Sequence, residues 1–316
     1  MTRFVLRRSL AGLLVCFWVS VATFLIFQVI PNGDPALRIA GRGASPETLA
    51  AVTRAYGLDK PVWVQYLELM KNVFTGEVVS YSNNGNVLAQ IRNGLPATFS
   101  LAVGAALLWM ALAVVIGILS VRNPGGRLDR GIGVLAIAGV SVPTYVLAAV
   151  LLYFLAYKAG IFPNGGYVPL SADPAGWLTH LLLPWICLSV GLAGFYSRVL
   201  RASILSVRSQ PFVGAVYARG LSERQVMTRH VLRLAAVPLV ALWGLDIAGV
   251  VGGGAILIET IFNLQGVGQY AQQSIGTLDV PSILVIVLFG SFLVVAMSVV
   301  SDIVQGLLEP RTRVTG

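Results

Sequence analysis

Six stretches of this 316-residue chain run for twenty or more residues almost without charge. They lie near Leu10–Ile30, Thr98–Val121, Gly131–Tyr157, Trp177–Leu200, Leu234–Ile258 and Ser282–Leu308. A helix crosses the hydrocarbon core of a bilayer with about 20 apolar residues. Backbone groups in lipid must be satisfied internally, and the alternating pattern of a barrel strand is absent, so these spans are helices. A single run of this kind is also the mark of a buried helix in a soluble protein; six together are not. The composition agrees, with 56% apolar and 11% charged residues against about 25% charged in an ordinary soluble domain. The expected fold is all-α, an integral membrane protein of six transmembrane helices with a small external segment between helices 1 and 2.

The first run is too long for a signal peptide, and no small-x-small cleavage site precedes Pro31, so it is expected to remain as a span. Cys16 and Cys187 both sit inside apolar runs and are expected to be packing residues without a disulfide. His180 and His230 are the only histidines. With no Cys/His cluster, no metal site is expected. The phosphate-cradling sequence G-x-x-x-x-G-K-[ST] is absent, so the chain is expected to hydrolyse no nucleotide itself.

Arginine sets the orientation. With the N-terminus in the cytoplasm, that side carries Arg3, Arg7, Arg8, Arg122, Arg127, Arg130, Arg198, Arg201, Arg208, Arg219, Arg224, Arg229, Arg233, Arg311 and Arg313. The other side holds Arg38, Arg42, Arg54, Lys60, Lys71, Arg92 and Lys158, six of them in one long loop. Short loops decide topology, and here they agree. The net charge of +9 is mostly this bias, with attraction to anionic lipid heads. It does not indicate nucleic acid, because the arginines are scattered over four cytoplasmic segments.

The soluble-looking segment from Pro31 to Pro96 opens with the turn IPNGDP. A helix is expected from Ser45-Pro46-Glu47 to Gly57. A second, amphipathic helix follows, with Trp63, Tyr66, Leu67 and Phe74 on one side, its aromatics suited to the membrane–water boundary. Then comes the polar turn SYSNNGN. So small a segment has a thin core and is expected to rest on the membrane part or on a partner.

Residues 209–238 form the largest basic, partly polar segment between apolar runs. Ser209 is expected to cap a short helix with Pro211 in its first turn. Gly220 ends that helix, since glycine tolerates a left-handed stop. Ser222 and Gln225 make a capping box for a second helix, flanked by Leu221 and Val226 at staple positions. A short helix projecting between two spans has no lipid to cover its apolar side. Phe212, Val213, Val216 and Tyr217 on that side are expected to meet a partner protein.

Seven ordered pieces carry a family resemblance: IPNGDPA, YGLDKPVWVQY, LPATFSLAV, SVPTYVL, FVGAVYARGLSERQVMTRHVLRLAAVP, GAILIETIFNLQGVGQ and DIVQGLLEPRTR. Together they cover essentially the whole chain. It resembles the permease subunit of bacterial ABC importers for peptides, nickel and related solutes, of the dipeptide permease B type. The resemblance implies a type I importer transmembrane fold. It divides the chain into an N-terminal helix and external segment (1–95), a five-helix transmembrane domain (96–308) with a coupling loop at about 200–233, and a cytoplasmic tail (309–316). The cytoplasmic piece is similar to the family's EAA loop, with Gly220 on its characteristic glycine. Ala218, Leu221, Ser222, His230 and Pro238 fall on recurrent positions. Val216 and Tyr217 stand where the family usually has a small and a basic residue. By this resemblance Phe212, Val213, Val216, Tyr217, Ala218, Gly220, Leu221, Ser222 and Glu223 form the coupling helix that docks on an ATPase.

The implied partners are a second homologous permease, two ATP-binding subunits that hold ATP and Mg, an external substrate-binding protein, and membrane lipid. The chain itself would carry no cofactor. The implied location is the bacterial inner membrane, with both termini cytoplasmic. The implied mechanism is ATP-driven alternating access through half of a heterodimeric pore for short peptides or related solutes.

Five residues are candidates for the pore or a gate. Asp246 lies within the fifth span, where an ionisable group signals either proton coupling or a hydrogen bond to a neighbouring helix or a water-lined cavity. Gly249 and Gly253 form a small-xxx-small spacing, with Gly252–Gly254 following directly, and signal close helix packing or a bend beside the path. Glu259 and Phe262 begin a segment too polar to span, either an ordinary external loop or one that dips back to close the external mouth. Arg224, Arg229 and Arg233 form a solvated face or pair with ATPase carboxylates. The alternative function is a proton-coupled carrier or ion channel acting without ATPase subunits; such a protein has no need of a glycine-broken docking pair. An intramembrane enzyme would need a paired nucleophile and base, and none occurs at one-face spacing.

Overall fold

The structure, a computed structural model, describes residues 2–30, 35–41 and 43–308, with side chains over 10–301 except 38. Most of the IPNGDP turn, the tail 309–316 and the side chains of Arg3, Arg7 and Arg8 lie outside the described residues.

α1 (Thr2–Phe24) continues as a π-helical turn through Val29. Its outward face exposes Leu13, Leu14, Phe17 and Trp18, as a helix bathed in lipid does. Three shorter helices follow: α2 (Pro35–Ala40), α3 (Pro46–Ala55) and α4 (Val62–Thr75). Ser45 caps α3 by accepting the Thr48 N–H at 3.2 Å. On α4 the expected face splits in two. Trp63, Leu67 and Phe74 are exposed, while Tyr66 turns inward, bonding Ser20 at 2.6 Å and meeting Phe24 edge to face. Tyr66 stands at i+3 from Trp63, and contact with α1 decides its side. The segment between the first two spans rests on the spans through a cluster of Phe24, Val280 and Leu284 with Tyr66, Leu69, Met70, Val73 and Tyr81.

α5 (Val87–Ser120) and α8 (Pro174–Arg208) are the longest helices and form the central pair. Trp109, Leu101, Leu181, Tyr196 and Leu200 are fully buried between and around them. Lipid tails are as apolar as leucine, so packing and side-chain bonds to spare carbonyls hold membrane helices together. Trp185 Nε1 donates to Ser100 O at 3.0 Å, Ser189 Oγ to Ala105 O at 3.2 Å, and Trp243 Nε1 to Ala106 O at 3.1 Å.

The third run is not one straight span. α6 (Arg127–Ser141) and α7 (Thr144–Leu151, continued to Lys158 by a π-helical segment) meet at 93°. Val142 is extended at φ −81, ψ 121, because the ring of Pro143 disfavours a helical conformation at the residue before it. The expectation of one continuous helix over Gly131–Tyr157 is corrected to a broken pair.

The basic segment after α8 contains α9 (Pro211–Ala218), α10 (Glu223–Val226) and α11 (Leu232–Ala235), joined through a π turn at Met227–Val231. α12 (Val237–Gly249) carries the next span to Gly254, four residues short of the expected Ile258. Gly253 stops it with φ 139, a backbone conformation that side chains other than glycine's disfavour. α13 (Ile256–Ile261), α14 (Val267–Thr277) and α15 (Val280–Leu308) complete the fold. Among the described residues the only β pairing is an isolated bridge between Val79 and Asn86, so the all-α expectation stands.

Candidate functional site

The 209–238 segment is built as a hairpin. Pro211 occupies the first turn of α9, where its missing N–H costs least. The cap differs from expectation: Gln210 is the N-cap and makes no side-chain bond, while Ser209 Oγ donates to Ser206 O at 2.8 Å at the end of α8. Gly220 adopts φ 79 with open space around it. The capping box forms, with Ser222 N donating to Gln225 Oε1 at 3.0 Å and Gln225 N to Ser222 Oγ at 3.4 Å. Arg208 donates to Glu223 at 2.9 Å, joining the end of α8 to the start of α10.

The apolar side of α9 is not left wholly for a partner. Val213 is 3% exposed, within the chain's own core. Phe212, Val216 and Leu221 are partly buried against the same core, which also contains Val226. Tyr217, Ala218, Gly220, Ser222 and Glu223 are exposed. Gly214, Ala215 and Arg219, not singled out above, share that exposed tip. The signal that finds them is helical phase, since they lie away from Val213 on a helix of 3.6 residues per turn.

The candidate pore residues separate into three settings. Tyr196 donates to Asp246 Oδ2 at 2.5 Å, linking α8 to α12. Gly252 packs on Gly290 of α15, where a Cβ on Gly290 would stand 2.7 Å from Gly252 O. Glu259 and Phe262 are buried within this chain at 0% and 1% exposure. Glu259 Oε1 accepts the Thr98 hydroxyl at 2.7 Å, and its Oε2 accepts the Gln269 N–H at 2.9 Å. Val267 N donates to Thr98 Oγ1 at 2.9 Å. One carboxyl thus staples α5, α13 and the start of α14. Burial pushes its pKa above the ordinary 4.5, against the opposing bonds from Thr98 and the Gln269 and Gly268 backbone. Phe262 contributes its carbonyl, which accepts the Gly166 N–H at 2.8 Å.

Two polar assemblies escaped sequence reasoning. Asp279, 1% exposed, accepts from Ser80 Oγ at 2.5 Å, Tyr81 N at 3.0 Å, Ser82 Oγ at 3.2 Å and Ser282 Oγ at 2.7 Å. It clamps the 78–86 turn to the mouth of α15. Asp129 of α6 takes a two-pronged bond from Arg201 of α8, Nε–Oδ1 at 2.8 Å and Nη2–Oδ2 at 2.7 Å. An acid within two residues of the start of an apolar run is the only signal either leaves in the sequence.

Comparison with known proteins adds identity to this geometry. Residues 113–314 match the family described as binding-protein-dependent transport system inner membrane component, and residues 1–102 match its N-terminal companion. A Brucella abortus (strain 2308) protein bearing the name of a peptide transport system permease is 35% identical, over 99% of both chains. The dipeptide transport system permease protein DppB of Lactococcus lactis is 31% identical over 99% of this chain and 100% of its own. In structure, the inward-facing MetNI methionine ABC transporter aligns with a TM-score of 0.55 at 20% identity, over 70% of this chain and 96% of the other.

Proposed function

Because the chain belongs to the family of binding-protein-dependent transport system inner membrane components, and is a permease subunit of an ATP-driven importer with the type I fold, we propose that it imports short peptides as one half of a two-permease pore. The names of its relatives support peptides as cargo. A second homologous permease supplies the other half. Two ATP-binding subunits hold ATP and Mg and dock from the cytoplasm. An external binding protein delivers the solute, and both termini of this chain are cytoplasmic. ATP-driven closure of the ATPase pair moves the coupling loops, and the spans rock between inward and outward openings.

The observation that carries this reading is the glycine-turned hairpin at 209–223, anchored by Val213 and presenting an exposed tip around Tyr217 and Ala218. A carrier working alone has no use for it. At the other mouth, the α13–α14 turn serves as a fixed wall stapled by Glu259, and the bend at Gly253 lies beside the path.

Gly220→Val tests the docking role. A β-branched residue resists φ 79 at a cost of about 1–2 kcal/mol or more, while the spans still insert. Co-purification with the second permease should persist, and solute-stimulated ATP hydrolysis in lipid should fall sharply. Gly276→Val, with open space around it and no positive φ, is the control. Wild-type stimulation in an assembled Gly220→Val complex would reduce the loop to a linker.

A further inference from the structure

Three helices meet around a cavity of about 320 Å³ that the transport reading does not use, lined by Ser120, Asp129, Arg130, Ser197, Arg198 and Arg201 among others. Arg201 is held by Asp129, whose Oδ2 also accepts the Gly125 N–H at 2.8 Å. Arg130 and Arg198 have no acidic partner among the described residues. The cavity therefore carries an excess of positive charge held at its rim by a fixed guanidinium.

Its depth follows from three helices independently. α8 runs without Asp, Glu, Lys or Arg from 174 to 197, about 36 Å at 1.5 Å per residue, and Arg198 is the first charge after that run. α5 and its cap are charge-free from 93 to 121, with Ser120 almost at the end. The α6–α7 pair is charge-free from 131 to 157, and Arg130 immediately precedes it. A hydrocarbon core of about 30 Å flanked by headgroup layers puts this cavity at headgroup level. α8 continues from Arg198 to Arg208, about 15 Å further along its axis, before the coupling loop begins. A partner docked on the tip of that loop therefore lies deeper in the cytoplasm. Along α6, Arg130 is followed at i+4 and i+7 by Val134 and Ile137, exposed at 66% and 56%. A basic head thus leads directly into an exposed apolar stripe.

We propose that the cavity between α5, α6 and α8 binds the phosphate of an anionic phospholipid from the cytoplasmic leaflet, its acyl chain lying along Val134 and Ile137. Basic pockets between spans on the cytoplasmic side suit such headgroups. The leaflet assignment rests on the orientation proposed above; the level at the bilayer boundary does not.

The test uses the assembled transporter in mild detergent, given equal amounts of phosphatidylglycerol and phosphatidylcholine with identical chains. Native mass spectrometry counts the lipids retained. Two arginines at the membrane surface correspond to a preference of roughly 25-fold for phosphatidylglycerol. The R130Q/R198Q variant should bring that to near parity, R130K/R198K should keep most of it, and R229Q/R233Q in the coupling loop should leave it unchanged. Arg130→Gln alone, at an exposed position, should give a partial loss and keeps the test standing if the double variant does not assemble. Equal retention by wild type and R130Q/R198Q would overturn the proposal. Displacement of the lipid by millimolar inorganic phosphate would also overturn it, assigning the site to a free anion. Loss of ATPase co-purification with lipid retention unchanged would overturn it too, giving these arginines to the ATPase.

Discussion

Truncating Asp279 to alanine removes the acceptor for four donors at once. Ser80 and Ser282 are both fully buried, and each retains a second partner: Ser80 Oγ lies 3.0 Å from Ser82 Oγ, and Ser282 Oγ lies 2.6 Å from the Tyr270 hydroxyl. Ser82 is exposed and turns to water. The Tyr81 N–H loses its 3.0 Å bond to Asp279 Oδ1. Bonds to a charged acceptor contribute about 1.5–3 kcal/mol each. With three of the four donors able to re-pair, the net loss is about one such bond, about 1.5–3 kcal/mol. That loss raises the opening equilibrium of the 78–86 turn by about one to two orders of magnitude. Hydrogen exchange in the assembled transporter reads it directly. The amides of Ser80 and Val87, which donate to Gly85 O and Val78 O at 2.9 Å each, should exchange faster by that factor, while the amides of α8 keep their protection. Asp279→Asn retains one acceptor oxygen and should give an intermediate result. Unchanged protection at Ser80 and Val87 in Asp279→Ala would refute the view that this carboxylate holds the external segment to α15.

Glu259 gives a pH test with a definite sign. A carboxyl whose pKa is raised by folding contributes most below its ordinary 4.5, and that contribution fades as pH rises through the elevated value. Thermal melts of the wild-type complex should therefore gain on acidification relative to Glu259→Gln, which does not titrate; parallel pH profiles would exclude the buried carboxyl as the cause. Asp246→Asn keeps an acceptor for the Tyr196 hydroxyl and should support ATP-driven uptake close to wild type. Asp246→Leu leaves that hydroxyl unpaired and should destabilise the protein by about 1–3 kcal/mol. Loss of uptake in an assembled Asp246→Asn transporter would instead point to proton movement through this residue.

The spans were legible because lipid imposes one demand, twenty apolar residues, that hydropathy measures directly. Direction is not in that measure. Pro143 stood in plain view inside the third run, yet only its effect on Val142 turns one span into two helices at 93°. The coupling loop was legible at Gly220 and the Ser222–Gln225 box, where chemistry is local. It was misjudged at Val213, because a helix between spans can be covered by its own chain. Thr98 and Glu259 lie 161 residues apart, and Ser80 and Asp279 lie 199 apart. Such partners meet only once the helices have packed, so the sequence marks each as a polar residue at a span mouth and says nothing of the pairing.

Val213, Val226 and the Arg208–Glu223 pair leave the 209–223 hairpin little room to flex on its own. In the docking proposed above, a push at Tyr217 is therefore delivered as torque on α8, a rod of 35 residues and about 52 Å. The rod has one weak rung. Pro184 lies inside it and cannot donate the bond that would tie it to the preceding turn. Trp185 and Ser189, just past it, bond to the carbonyls of Ser100 and Ala105, so the roughly 36 Å from Pro184 to Arg208 moves with α5 as one rod.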